Sequence, residues 1–174
     1  LDGGSGTDTV DYSATGVSVK VSLKDDYGED DDGSSFYDDL SNIENVTGSA
    51  FDDNIKGDTG DNTLIGGAGD DELKGESGAD MLFGGDGADT VRGGSGADQL
   101  YGGAGNDTLK GDGGSDFIYG GEGDDTIDGG GGNDYIVGGA GADTLKGGKG
   151  DDTFRFESLD DLGDTITDYK AGDD

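Results

Sequence analysis

From Ile55 to Phe154 a large apolar residue returns at every ninth position: Ile55, Leu64, Leu73, Leu82, Val91, Leu100, Leu109, Ile118, Ile127, Ile136, Leu145 and Phe154. Glycines and polar residues fill the intervals. The repeating unit is G-G-x-G-x-D-x-U-x, with U the large apolar residue, and Gly48 to Arg155 holds twelve copies end to end without a gap. Residues 66–74, 84–92 and 120–128 are the clearest copies. A short fixed period sustained this long predicts a solenoid. Each copy predicts a glycine-rich turn, where residues without a Cβ take positive φ, and then a three-residue strand whose middle side chain points inward. Two copies make one coil, around a core one large side chain thick.

The outward positions seven and nine sort, with an eighteen-residue period, into two unlike faces. One reads Lys56, Lys74, Arg92, Lys110, Asp128 and Lys146, flanked by Thr90, Thr108, Thr126 and Thr144. The other reads Ile65, Phe83, Tyr101, Tyr119, Val137 and Arg155, flanked by Met81, Phe117 and Tyr135. On the basic face, like charges stacked opposite one another are unfavourable, so the Lys stems are expected to lean toward the acidic loops. The sharper alternative is a track for a linear polyanion. The greasy face is expected to be covered by a strand at Val17 to Leu23, by the C-terminal segment or by a neighbouring domain.

Four segments follow from this pattern. Residues 1–11 are the end of an upstream repeat block, containing one full copy from Gly3 to Asp11. Leu1 looks like the apolar position of a truncated repeat, so the chain is expected to be a fragment. Residues 12–47 interrupt the repeats. There Val17, Val19, Val21 and Leu23 alternate with polar residues, a half-buried strand signal, and residues 24–39 predict a polar, acidic loop. Val46 restores the register nine residues before Ile55, which suggests degraded rungs inside the interruption. Residues 48–155 are the twelve tandem copies. Residues 156–174 form a capping segment, expected to be incomplete, in which Phe154 and Phe156 would plug the open end.

Position six carries the chemistry. It is Asp8 in the first copy and then Asp53, Asp71, Asp80, Asp89, Asp98, Asp107, Asp116, Asp125, Asp134, Asp143 and Asp152, with Asn62 the one departure. Stacked coils lie about 4.8 Å apart, and carboxylates at about that distance repel by roughly 1 kcal/mol in water and several times more at a protein surface. A hard divalent cation neutralises such a column. Calcium accepts six to eight oxygens in irregular geometry, whereas magnesium demands an octahedron and holds its water. Zinc and copper want His or Cys, and the chain has neither.

These repeats resemble the nonapeptide repeats of the RTX proteins, secreted bacterial toxins and enzymes. The resemblance implies an all-β fold, a right-handed parallel β-roll loaded with calcium along both edges. It also implies a ligand set, in which carbonyls two and four plus Asp six of one loop meet carbonyls one and three plus Asp six of the loop eighteen residues on. On one edge the ions would lie among Gly67, Gly69, Asp71, Gly84, Asp86 and Asp89, then among Gly85, Gly87, Asp89, Gly102, Ala104 and Asp107. The next two would lie among Gly103, Gly105, Asp107, Gly120, Glu122 and Asp125, and among Gly121, Gly123, Asp125, Gly138, Ala140 and Asp143. On the other edge the first two sets would be Glu76, Gly78, Asp80, Gly93, Ser95 and Asp98, and Gly94, Gly96, Asp98, Gly111, Gly113 and Asp116. The last two would be Asp112, Gly114, Asp116, Gly129, Gly131 and Asp134, and Gly130, Gly132, Asp134, Gly147, Lys149 and Asp152. Gly75 and Ser77 would likewise offer carbonyls beside Asp80 on this edge, although they face the degenerate Gly57 copy, and the Gly48 copy is degenerate too. The closing segment is similar to those of serralysin-type proteases and of mannuronan C5-epimerase repeat modules.

Composition turns this picture into a switch. Leu, Ile, Val and Phe number 31 of 174 residues, against a formal charge of −32 and 41 glycines, a balance that alone predicts disorder. Calcium is therefore expected to be part of the fold, its binding energy serving as folding energy. The acidity argues against nucleic-acid and anionic-membrane partners, and no apolar run reaches membrane-spanning length. The lack of Cys suits a chain that must stay threadable during export. With no His or Cys there is no His-based triad and no thiol nucleophile, so this fragment is not expected to be an enzyme. The expected function is calcium-triggered folding outside a bacterial cell, within a larger protein exported by a type I secretion apparatus. The alternative is a module binding an anionic polysaccharide such as alginate.

Overall fold

The computed structural model describes residues 1–30, 37–156 and 163–168. The chain opens with β1 (Thr9–Asp11), β2 (Val19–Ser22), β3 (Tyr27–Asp30), β4 (Tyr37–Asp39), β5 (Asn45–Thr47) and β6 (Asn54–Lys56). Six-residue strands follow without exception: β7 (Thr63–Ala68), β8 (Glu72–Ser77), β9 (Met81–Asp86), β10 (Thr90–Ser95), β11 (Gln99–Ala104), β12 (Thr108–Gly113), β13 (Phe117–Glu122), β14 (Thr126–Gly131), β15 (Tyr135–Ala140) and β16 (Thr144–Lys149). The short β17 (Thr153–Phe154) and β18 (Thr165–Ile166) complete the set.

From β5 onward, alternate strands go to opposite sheets. One sheet runs β1-β5-β7-β9-β11-β13-β15-β17, and the other runs β18-β16-β14-β12-β10-β8-β6-β2-β3-β4. Within the tandem block every pairing is parallel and in register at eighteen residues, as in Leu82 opposite Leu100 and Val91 opposite Leu109. The chain is thus an all-β parallel solenoid, the architecture of a β-roll. Its strands are twice as long as the repeat pattern predicts, because the ladder continues from positions seven to nine into positions one to three of the next copy, as in Gly67 opposite Gly85. With a two-residue period, positions eight and one both face inward. Position eight is fully buried from Ile55 to Leu145. Position one is glycine because a Cβ there would meet the carboxylate of its own loop, as Gly84 would meet Asp89.

The 36-residue interruption is one coil with an excursion. β1 pairs directly with β5, Val10 opposite Val46, and β2 takes the matching place in the other sheet by pairing with β6, Val21 opposite Ile55. β3 and β4 then turn back as antiparallel strands on that sheet, so the expected polar loop at 24–39 is in part a sheet extension. Residues 31–36 of it lie outside the described residues. Tyr12 sits buried beneath this extension, its hydroxyl donating to Asp38 Oδ2 at 3.2 Å. A Cβ on Gly28 would strike that hydroxyl. Val19 and Val21 are accordingly core rungs, and this strand does not cover the greasy face. β18 extends the basic-face sheet beside β16 and does not cover it either.

At the C-terminal end Phe154 and Ile166 pack against the core. Phe156, expected to join the plug, is 52% exposed, because it lies two residues past the inward position and the chain has left the sheet. Leu100→Ala is expected to cost about 2–5 kcal/mol in guanidinium unfolding of the calcium-loaded protein, since each rung holds a single large side chain. Phe156→Ala should stay within about 0.5 kcal/mol; equal losses would place Phe156 in the core.

Candidate metal centre

Position six lies immediately before each strand, where the chain re-enters the sheet, and this buries its carboxylate at the edge of the roll. Asp71, Asp80, Asp89, Asp98, Asp107, Asp116, Asp125, Asp134 and Asp143 are each at most 2% exposed. They form two columns, one on each edge. In each column the carboxylate Oδ1 accepts the backbone N–H of the Asp one coil earlier: Asp71 N–H donates to Asp89 at 2.8 Å, Asp89 to Asp107 at 2.8 Å and Asp107 to Asp125 at 2.8 Å. On the other edge Asp80 donates to Asp98 at 2.9 Å, Asp98 to Asp116 at 2.9 Å, Asp116 to Asp134 at 2.9 Å and Asp134 to Asp152 at 3.0 Å.

The second oxygen is unsatisfied. Oδ2 of all nine of these residues is buried with no hydrogen-bond partner. An orphaned buried carboxylate oxygen costs far more than an exposed one, and nine in two columns compound the cost. Burial, the leading cause, pushes the carboxyls up from the ordinary value of 3.8: to about 7 for Asp71, Asp80 and Asp125, and to about 6 for Asp89 and Asp116. Asp98, Asp107, Asp134 and Asp143 move the same way for the same reason.

Position two explains why Oδ2 lacks a donor. In the ten loops from Gly66 to Gly147 this residue sits at φ between 68° and 125°, and its N–H does not reach the carboxylate. Eight of the ten are glycine. Glu76 and Asp112 hold the same conformation at φ 80° and 68°, which is uncommon for residues with a Cβ. In the two degenerate copies, Ser49 and Asp58 are not at positive φ, and the N–H turns inward. Ser49 donates its N–H to Asp53 Oδ2, and its hydroxyl donates to Asp53 Oδ1 at 2.9 Å. Asp53 Oδ1 also accepts from Val19 at 2.7 Å. Asp58 likewise donates to Asn62 Oδ1 at 2.9 Å, and Asn62 gives its amide to the Glu44 carbonyl at 2.9 Å. Asp53, expected to be a metal ligand, therefore has both oxygens occupied by protein donors. Asp8 follows the regular rule: Gly4 is at φ 89° and Asp8 Oδ2 is buried without a partner.

The backbone expected to complete each site lies beside these oxygens. Position one stands against the Asp of its own loop, from Gly66 to Gly147. Positions two and four lie directly under the coil before, so that a Cβ at Gly85 or Gly87 would collide with the Gly67 or Gly69 carbonyl. The carbonyl at position three accepts one N–H from position four of the preceding coil, as in Gly69 to Asp86 at 2.8 Å and Gly132 to Lys149 at 2.8 Å. That leaves it a second lone pair. Among the described residues no three His, Cys, Asp or Glu side chains converge on one point, so main-chain carbonyls must supply most of any coordination shell. Two carboxylates and several carbonyls form a hard, all-oxygen donor set of the kind calcium takes.

Three contributors escaped the nonapeptide pattern. Asp164 continues one column, accepting Asp143 N–H at 3.0 Å. Residues 163–167 repeat positions five to nine, but a spacing of 21 instead of 18 hides them. Asp168 receives the N–H groups of Gly147 at 3.2 Å and Gly148 at 2.8 Å, which caps the last loop. Glu44 stands where an Asp six would be, accepting Asp8 N–H at 2.9 Å. Position five adds a second ladder in the opposite sense: Ala88 donates to Asp70 at 2.8 Å, Asp124 to Asn106 at 2.9 Å and Asp151 to Asn133 at 3.0 Å.

A family model described as the RTX calcium-binding nonapeptide repeat (4 copies) matches residues 47–82, 74–109, 83–118, 101–136 and 128–162. No curated protein matches the chain. The matches end at 162 and give no support to the likeness of the closing segment to serralysin-type proteases.

Two outcomes follow. Asp107→Ala should remove two bound ions, Asp152→Ala one and Asp53→Ala none, as counted by native mass spectrometry in calcium; equal losses would refute the assignment. The second concerns pH. A carboxyl raised in the fold stabilises it while protonated, so in excess chelator this contribution is fully present below about pH 4 and is lost as pH rises through 6 to 7. Circular dichroism of the chelated protein should gain β signal on acidification from pH 8 to 4, whereas an unchanging coil spectrum would contradict it.

Proposed function

The chain belongs to the RTX calcium-binding nonapeptide repeat family, and from that premise we propose that this calcium-binding module folds on meeting calcium outside the cell. It does so as part of a larger bacterial protein exported by a type I secretion system, and it stabilises and positions a functional domain elsewhere in that protein while contributing no catalytic group itself. The observation that carries the reading is the double column of nine buried, unpartnered carboxylate oxygens. A chain that must bury these charges to close its core folds poorly without a cation, and a ligand that binds only the folded state adds its binding free energy to folding. The absence of Cys keeps the unfolded chain free of cross-links during passage.

The rival reading, an anionic-polysaccharide module, relies on the basic face. There Lys56 and Lys74 meet Glu76 at 3.4 and 2.7 Å, Arg92 meets Asp112 at 2.8 Å and Lys146 meets Asp128 at 2.8 Å. Two of these acidic partners occupy position two, so the cations lean toward the loops and their charge is largely answered within the protein. The folding reading is tested by calcium titration under circular dichroism. A coil spectrum should turn cooperatively to β-sheet at roughly 0.1–1 mM calcium, the weak range of extracellular modules, and magnesium should not replace it. A β spectrum of full amplitude in excess chelator at neutral pH would overturn the reading.

A further inference from the structure

Neither β2 nor β18 covers the aromatic sheet, and its outward positions differ from the rest of the surface. The chain carries 42 acidic residues, yet positions seven and nine of this sheet hold no carboxylate from Asn45 to Thr153. A ridge of stacked rings occupies the middle, from Phe83 to Tyr101 (centroids 4.9 Å apart, planes 8° from parallel), to Phe117 (5.7 Å) and to Tyr135 (5.6 Å, 10°). These rings are half-buried, so stacking leaves part of each exposed. Charge returns to the outward positions only at the two ends. The position-nine column starts with Asp11, one rung before Thr47, and closes with Arg155, one rung beyond Val137, where its N–H donates to the Ile136 carbonyl at 2.9 Å. An acid thus stands at one end of an eight-stranded sheet and a base at the other, about 34 Å apart at the usual strand spacing.

We propose that this sheet is the interface of a homodimer, in which a second copy of the chain packs face to face with the order of its coils reversed. A two-fold axis along the strands produces that arrangement and sets the first rung against the last. Asp11 then meets the partner's Arg155 at both ends, Ile65 lies across from the partner's Tyr119, and Phe83 and Tyr101 meet their counterparts at the centre. The contact is self-complementary, as an isologous interface must be. A two-fold axis along the roll would instead set Arg155 against Arg155 and Asp11 against Asp11, so charge selects the reversed arrangement. Arg155 holds the Tyr135 hydroxyl through Nη1 at 3.3 Å, and a guanidinium with five N–H donors can meet a carboxylate without giving up that contact. Five six-residue strands and three short ones give the face roughly 600 Å² in projection, of the order of the roughly 800 Å² that each partner brings to a standard interface. Rings already held in a stack lose little side-chain freedom on docking. The acidic columns lie along the edges of the roll, and screening over about 8 Å at physiological salt limits their repulsion across the pair. The interface needs only the folded roll and does not depend on how folding is triggered.

The test is sedimentation equilibrium of the calcium-loaded full chain, with circular dichroism to establish that each variant is folded. The wild-type chain should form a reversible dimer with Kd of about 100 μM or tighter. Tyr101→Lys puts a charge at the centre, in a position where the opposite sheet already accepts Lys74 and Lys110. It should weaken the dimer by about tenfold or more with the β spectrum unchanged. Asp11→Arg and Arg155→Asp should each weaken it by about fivefold or more, since two-fold symmetry makes every like-charge contact twice. The double variant D11R/R155D should recover the wild-type Kd. A chain that stays monomeric from about 1 to 200 μM overturns the proposal and leaves the face to another part of a parent protein. An undiminished dimer in Y101K, or no recovery in the double variant, overturns it equally.

Discussion

Everything in this fold depends on stacking carboxylates one coil apart. Each Asp at position six supplies one oxygen to hold the preceding coil, and that bond helps set the eighteen-residue register. The same arrangement buries its other oxygen without a donor. At about this separation, like charges repel by roughly 1 kcal/mol in water and about 4 kcal/mol at a protein surface, so the geometry that orders the coils also opposes them. Calcium bound between the loops turns that opposition into attraction.

The same constraint explains the glycines and where they give way. Position two at positive φ withholds its N–H from the carboxylate and keeps the oxygen free for a cation. Where Ser49 and Asp58 take its place, the N–H closes on the side chain at position six, and the site is satisfied by the protein itself. The two kinds of loop differ in backbone torsion at position two and again at position four, which is at positive φ from Gly69 to Gly150 but not at Phe51 or Gly60. Glu76 and Asp112 adopt the glycine-like conformation and keep their sites open, while their side chains are engaged by cations of the basic face. Edge chemistry and face chemistry are thereby joined through single residues.

The faces themselves are divided by the coil's two-strand geometry. Since alternate copies enter opposite sheets, one nine-residue unit writes two unlike surfaces, one laced with ion pairs and the other built of stacked rings. Exposed ion pairs contribute little to stability, whereas half-buried aromatic ladders contribute cross-strand packing. The aromatic side is therefore the stronger support for a roll whose interior is only one side chain thick.

The sequence by itself determined the solenoid, its register, the inward column from Ile55 to Leu145 and the carboxylate at position six, because each depends on a period that repeats without interruption. It also marked the Gly48 and Gly57 copies as degenerate. Only the tertiary structure decided what lay off that period. Asp164 and Asp168 complete the last coil across a 21-residue spacing and a capping contact, and Glu44 fills a place the pattern reserves for Asp. Val19 and Val21 became core rungs, since one coil absorbs all 36 interrupting residues through an antiparallel extension. Phe156 fell outside the core because inward and outward alternate only while the chain remains in the sheet. Asp53 matched the motif yet lost its free oxygen to an N–H whose direction is set by φ at Ser49, a torsion that residue identity constrains but that the assembled loop fixes.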